Sequence, residues 1–448
     1  MTEPRAALEV THRKVWLLAG PIILSNISVP LVGAVDTAVV GHLPDPRYIG
    51  AVALGALIFS FLYWGFGFLR MGTSGFVAQA FGAGDWPELH HTLIRVLLLA
   101  VVLGLFTILI SRPLIEFALY LLESSAAVEG LARDYAHIRI WSAPAVLCVY
   151  AFTGIFVGLH NMRAAFALQL ILNIANMLLD VLFVLGFGWG VEGVALASLI
   201  AEYLAMLAGF YLLRYRLRNA LQACNRARLL HRAALVRLFQ ANSNIFIRTL
   251  ALLFALGYFT AMSARQGEVI LAANAIMLHL QSIMAHGLDG FATAVEALAG
   301  SAYGAGRRRA FRRAVLLTSL WGGVIAIMTG IGYLLGNEAM IRLFTSIDSV
   351  VETALIYLPW MIAMPIVSIW CYQLDGIFIG TSHTREMRNA MAVSLAAYLA
   401  LLQWLIPAFG NHGLYLGLAV FMLLRALSLL FYYPRIESSM PVEAEPQA

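Results

Sequence analysis

Gln169, Asn173, Asn176 and Asp180 interrupt one apolar stretch at intervals of four, three and four residues. On a helix that spacing draws a single polar stripe down one face. Further on, Ser198 and Glu202 also share a face, and far upstream Asp36 stands in GAVDTAVVGH, residues 33–42. A stripe of amides alone would serve as glue between helices; a carboxylate at its end points to a lined cavity. An ionised side chain at the centre of a bilayer costs roughly 2.5–3.5 kcal/mol on insertion scales, so Asp36 must be protonated, partnered or facing water. Two carboxyls held close cannot both ionise cheaply, and such a pair takes up or releases a proton near neutral pH. The chemistry these residue types point to is reversible proton binding. A hydrogen-bonded acid that merely pins helices is the alternative.

A second polar set lies in the later half of the chain. His279, Ser282, His286, Asp289, Thr293 and Glu296 alternate in steps of three and four, with Arg248 and Asp375 in neighbouring apolar stretches. Here a cation is available. Arg248 paired with Asp289 or Asp375 reads either as a buried structural salt bridge or as part of a proton relay.

The elements that must position these groups follow from composition. The chain is 61% hydrophobic and 12% charged, about half the charge of a soluble domain, so it cannot cover itself with a polar surface. Twelve apolar runs are long enough to span a bilayer: 14–40, 49–80, 92–110, 135–159, 165–187, 193–213, 235–264, 269–299, 314–335, 354–379, 389–409 and 414–433. The short alternating segments of a membrane barrel are absent, so the expected fold is all-α. At 1.5 Å per residue, Asp36 lies roughly 6 Å from the outer end of its span, Asp180 roughly 10 Å, and Ser198 with Glu202 roughly 8–14 Å. They can share a level.

Arg5, Arg13, Lys14, Arg163, the run from Arg214 to Arg237, Arg307 to Arg313, Arg385, Arg388 and Arg435 fall on one side of this topology. By the positive-inside rule both termini are cytoplasmic. The basic loops are then topological and give no reason to expect nucleic acid as a partner. Cys148 and Cys371 lie within spans and Cys224 in the central loop, so packing rather than disulfides is expected of them.

The chain also repeats itself. AQAFGAG (78–84) returns as GSAYGAG (300–306), and GIFVG (154–158) returns as GIFIG (376–380), both 222 positions later; Arg163 and Arg385 keep the same spacing. Two parallel six-helix bundles are expected, with residues 1–13 as cytoplasmic N-terminus, 14–213 and 235–433 as lobes, 214–234 as an Arg-rich linker and 434–448 as a tail. Gly82, Gly84, Gly304 and Gly306 end spans at cytoplasmic turns and read as C-caps. No GK[ST] follows them, which disfavours an ATPase, and no HExxH, GxSxG or paired DDxxD marks an enzyme.

VPLVGAVDTAVVGHL, FLRMGTSGFVAQAFGAG, NIANMLLDV, LASLIAEY, LDGFATAVEALAGSAYGAG and CYQLDGIFIGTSHTREMRNAM, placed in a duplicated chain, resemble the DinF branch of the multidrug and toxic compound extrusion (MATE) transporters. The resemblance runs from Trp16 to Tyr433. It implies a V-shaped pair of six-helix lobes in the bacterial inner membrane, a monomer without cofactor, exporting amphipathic and often cationic compounds in exchange for H+ or Na+. It matches the coupling residues to Asp36, Asn176, Asp180 and Ser198, which would also be the ligands of a sodium ion, and a helix-bending proline to Pro21. Ser198 stands where some relatives carry threonine, and span seven lacks the acid used in the NorM branch. A sodium-coupled exporter and a lipid-linked oligosaccharide flippase are the competing readings.

Overall fold

Helix starts are written into the chain. Asp45, Asp85 and Asn161 each precede a helix and accept a hydrogen bond from its first turn, and Pro46 and Pro87 supply the fixed φ that a first turn wants. The computed structural model describes residues 9–41, 43, 45–122 and 124–441, and all regular structure among them is helical. His42, Arg5 and the tail beyond residue 441 lie outside the described residues.

In chain order the helices are α1 (His12–Val40), α2 (Pro46–Gly65), α3 (Phe68–Ala83), α4 (Trp86–Leu109), α5 (Ser111–Leu122), α6 (Ala126–Arg139), α7 (Ala143–Gly158), α8 (Met162–Asp180), α9 (Val191–Gln222), α10 (Arg226–Leu229), α11 (Arg232–Ala264), α12 (Glu268–Gly304), α13 (Arg308–Arg342), α14 (Asp348–Gly380) and α15 (Thr384–Ser438). Among the described residues ten helical stretches are long and apolar enough to cross a bilayer, against the twelve runs read from the sequence. The numbers part at two places. The last two expected runs share α15, broken only at Gly410 with φ +56°, and α1, which overlies the first expected run, is outside the ten. Leu109, Leu335 and Trp404 are each 79% exposed, and a surface of such side chains belongs against acyl chains rather than water. The chain is a multi-pass membrane protein.

Packing divides it into two compact units, Leu24–Val77 with Asp85–Leu238, and Met1–Ile23 with Ala78–Gly84 and Phe239–Ala448. These units depart from the covalent halves at two segments. The end of α3 packs with the later half, and α1 changes unit between Ile23 and Leu24, two residues beyond Pro21. Its first turns are held by Trp16, edge-on to Phe291 and Trp321 at ring separations of 5.3 and 5.2 Å. In the first unit α9 packs against α8, α6, α7 and α4, while α6 packs against α2. Phe59, Tyr63, Tyr135, Ile140 and Val184 form part of its core.

The sequence repeat reappears as backbone geometry. Gly154 approaches the carbonyl of Arg70 so closely that a Cβ would lie 2.4 Å from it, and Gly376, 222 positions on, stands 2.3 Å from the carbonyl of Ala292, itself 222 positions from Arg70. The left-handed φ of Gly84, His160 and Gly188 recurs at Gly306, Ser382 and Gly410 at the same offset. Gly84 and Gly306, with φ +68° and +66°, end helices as their C-cap reading requires. Gly82 and Gly304 correct that reading. They sit inside helices where α3 and α12 cross, Gly82 against the Ser301 carbonyl and Gly304 against that of Gln79, so glycine serves there for close backbone approach.

Candidate functional site

The polar stripe of α8 is a chain of hydrogen bonds running to α1. Gln169 Nε2 donates to Asn173 Oδ1 at 2.8 Å, Asn173 Nδ2 donates to Ser28 Oγ at 2.7 Å, and Ser28 Oγ donates to the Ser25 carbonyl at 2.6 Å. One turn further on, Asn176 Nδ2 donates to Ser198 Oγ of α9 at 3.1 Å. Asp180, fully buried, ends α8, and the backbone passes into a single wide π turn, Val181–Gly186. Such turns recur at functional sites because they re-aim a side chain at the expense of a regular ladder.

The Asp180 and Asp36 carboxyls face each other closely enough to interact directly. Neither Asp180 oxygen, nor Oδ1 of Asp36, has a hydrogen-bond partner among the described residues. A carboxylate is acceptor only, so two carboxyls can bond only when one of them carries a proton.

Glu202, one turn beyond Ser198 on α9, takes a different partner. Its Oε1 accepts from Arg139 Nη2 at 3.0 Å, and the guanidinium lies 5.5 Å from the centroid of the Phe59 ring. Tyr63 Oη bonds Ser142 Oγ at 3.0 Å beside this pair. The six residues expected of the stripe and its neighbour helix therefore fall into three linked groups: the amides with Ser198, the acid pair with Asp36, and the ion pair with Arg139. Ser28 was not foreseen; its only signal was a hydroxyl about two turns before Asp36 on the same helix.

In the later half, Asp375 Oδ2 accepts from Arg248 Nη2 and, at 2.7 Å, from Arg425 Nη2. All three residues are buried. Of the two partners open to Arg248, the structure selects Asp375; Asp289 stays out of that pair, and His286 lies half-buried on the same helix. Arg425 was missed, although an arginine within the run 414–433 demands a buried acid. Removing the Asp375 carboxyl would strand two guanidiniums in a low-dielectric core, the arrangement in which a buried pair matters most.

The duplication does not extend to either site. At the 222-residue offset Asp36, Asn176, Asp180 and Glu202 correspond to Tyr258, Tyr398, Leu402 and Leu424, while Arg248, Asp375 and Arg425 correspond to Asn26, Thr153 and Tyr203. One scaffold is used twice, with one carboxyl pair.

An all-helical, multi-pass bundle with hydrogen-bonded acids in its interior and a duplicated scaffold is the architecture of a secondary transporter rather than an enzyme. The MatE family model matches residues 21–182 and 245–405, once in each half, and the chain belongs to that family of membrane transporters. DNA damage-inducible protein F of Escherichia coli (strain K12) is 41% identical over 436 residues, 96% of this chain and 94% of that protein. The probable multidrug resistance protein NorM of Idiomarina loihiensis is 23% identical, covering 90% of each chain, and the multidrug export protein MepA of Staphylococcus aureus (strain N315) is 21% identical, covering 94% of this chain and 93% of that one. Among solved structures, MATE in the bent conformation superposes with a TM-score of 0.88 at 19% identity over 98% of both chains. A MOP superfamily transporter from Pyrococcus furiosus gives 0.87 at 18% identity, covering 99% of this chain and all of that one. The fold is that of the MATE transporters.

Proposed function

We propose that this protein is a proton-coupled multidrug exporter of the bacterial inner membrane, working as a monomer with both termini in the cytoplasm and without a cofactor. The observation that carries the reading is the buried apposition of the Asp36 and Asp180 carboxyls, whose Asp180 oxygens have no hydrogen-bond partner among the described residues, an arrangement that a shared proton would satisfy. With that proton gone, two carboxylates, Asp36 half-buried in α1 and Asp180 buried in α8, give the interior a negative charge suited to an amphipathic organic cation. When the proton returns, the charge that held the cation is lost and the cation leaves. Proton and cargo compete for the same acids.

Asn176 and Ser198 hold α8 to α9, and Gln169 and Asn173 hold it to α1, so a change at the acids is passed to the first helix. The hand-over of α1 between packing units two residues after Pro21 supports a bend at that proline, which lacks the N–H that would tie the helix there. The four oxygen-bearing residues Asp36, Asn176, Asp180 and Ser198 would also suit a sodium ion, but carboxyl against carboxyl favours the proton. A flippase for pyrophosphate-linked sugars would want a cationic interior, which the acid pair disfavours. The multidrug names of the NorM and MepA relatives support the cargo class.

Cells producing the protein are expected to expel ethidium, to lose that efflux when a protonophore collapses the proton gradient, and to keep it when potassium replaces sodium. Efflux that survives the protonophore and requires sodium would contradict the reading.

A further inference from the structure

Among the described residues Arg139 is the cation that reaches Asp36, Asp180 and Glu202, and the mechanism above does not use it. It stands at the end of α6, half-buried, with Tyr63 of α2, Tyr135 of its own helix, Tyr150 of α7, Glu202 of α9, Asp36 of α1 and Asp180 of α8 all within electrostatic reach. Its bond to Glu202 has a single prong. Nε of Arg139 and Oε2 of Glu202 are both buried and both without a hydrogen-bond partner among the described residues, so the pair leaves a donor and an acceptor unused that a two-pronged bond would have joined. The phenyl face of Phe59 holds the guanidinium in place without using a donor.

We propose that Arg139 is a specificity-determining residue: a tethered cation that, shared between Glu202 and the Asp36–Asp180 pair, sets how strongly the pocket attracts cargo and keeps sodium from serving as a ligand. The inference rests on the exporter reading given above. Three carboxylates and one guanidinium leave the empty, deprotonated site at a net charge of −2. Without the guanidinium it would be −3, with Glu202 freed as a further oxygen ligand for a small cation. Without Glu202 it would be −1, and the guanidinium would turn wholly on the acid pair. The retained charge is strong enough to hold an organic cation that brings its own apolar surface. It is too weak to strip water from sodium.

The test is ethidium binding to the purified protein in detergent, at fixed ionic strength, with potassium or sodium as the salt. Arg139→Gln is expected to bind ethidium about tenfold tighter than the parent and Glu202→Gln about tenfold weaker, as one unit charge in a partly screened interior dictates. The double variant Arg139→Gln/Glu202→Gln is expected to return to the parental affinity. Sodium should displace ethidium from Arg139→Gln and from none of the others. A merely structural pair would make both single variants weaker together, and that result overturns the proposal. If Arg139→Gln fails to fold, Glu202→Gln set against the parent and the double variant still decides, since equal affinity in all three also overturns it. Parental efflux that runs on sodium would remove the proton-coupling reading instead, and the order of affinities would still judge Arg139.

Discussion

Replacing Asp36 or Asp180 by asparagine is expected to abolish export driven by a pH gradient in proteoliposomes, with initial rates falling about a hundredfold, as befits the loss of an intramembrane proton site. The fold should survive. Asparagine keeps the shape of aspartate and its amide N–H can donate to the carboxylate that remains, so the α1–α8 contact is kept while the titrating proton is lost. Thermal unfolding in detergent is therefore expected to lie close to that of the parent for both variants. The two measurements separate mechanism from stability, and either variant exporting at the parental rate would remove its acid from the cycle.

Gly82→Val is expected to have the largest effect on stability. A Cβ at residue 82 would lie 2.0 Å from the carbonyl oxygen of Ser301, and the reciprocal contact at Gly304 leaves 2.1 Å to the carbonyl of Gln79. Extra carbons in a well-packed core cost about 1–3 kcal/mol when side chains can shift. Here the obstacle is backbone on both sides of the crossing, where Gln79 Nε2 also donates to the Gly380 carbonyl at 2.9 Å and Ser301 Oγ donates to the Ala78 carbonyl at 3.1 Å. The helices must separate, and a loss above about 3 kcal/mol is expected. Gly323→Ala, where nothing lies within 4 Å of the added carbon, is the control and should leave the unfolding midpoint unchanged or slightly raised. Equal midpoints for the two variants would mean that the crossing tolerates separation.

Much of this architecture was legible because lipid leaves few choices. Apolar runs and their breaks located the helices, and the 222-residue offset located the repeat, since backbone crossings accept only glycine and so print themselves into the sequence. The same rule misled at Gly82 and Gly304. A glycine near a helix end signals a C-cap or a close approach equally well, and only the positive φ at Gly84 and Gly306 tells the two uses apart. The stripe from Gln169 to Asp180 was readable from spacing alone, because a polar residue in a bilayer must share a face with its partners. Depth counting brought Asp36 to the level of Asp180 but could not show that the carboxyls touch, because rotation of one helix about its axis leaves depth unchanged.

What escaped was partner choice among distant charges. No spacing tied Arg139 to Glu202, because that choice depends on how α6 turns against α9. Asp375 was foreseen with one arginine and has two, because Arg425 lies a helix away and shares no periodicity with it. Ion pairs between helices carry no spacing rule, so composition can demand a partner for each buried charge without naming it.

The proton proposed to be shared by Asp36 and Asp180 can be counted directly. Calorimetric titration of the purified protein with ethidium near pH 7, in buffers of different ionisation enthalpy, gives the number of protons released for each cation bound. Release of about one proton is expected from the parent, since a coupled pair gives up its shared proton as a unit, and none from Asp36→Asn. Ethidium binding with no proton released by the parent would contradict the account.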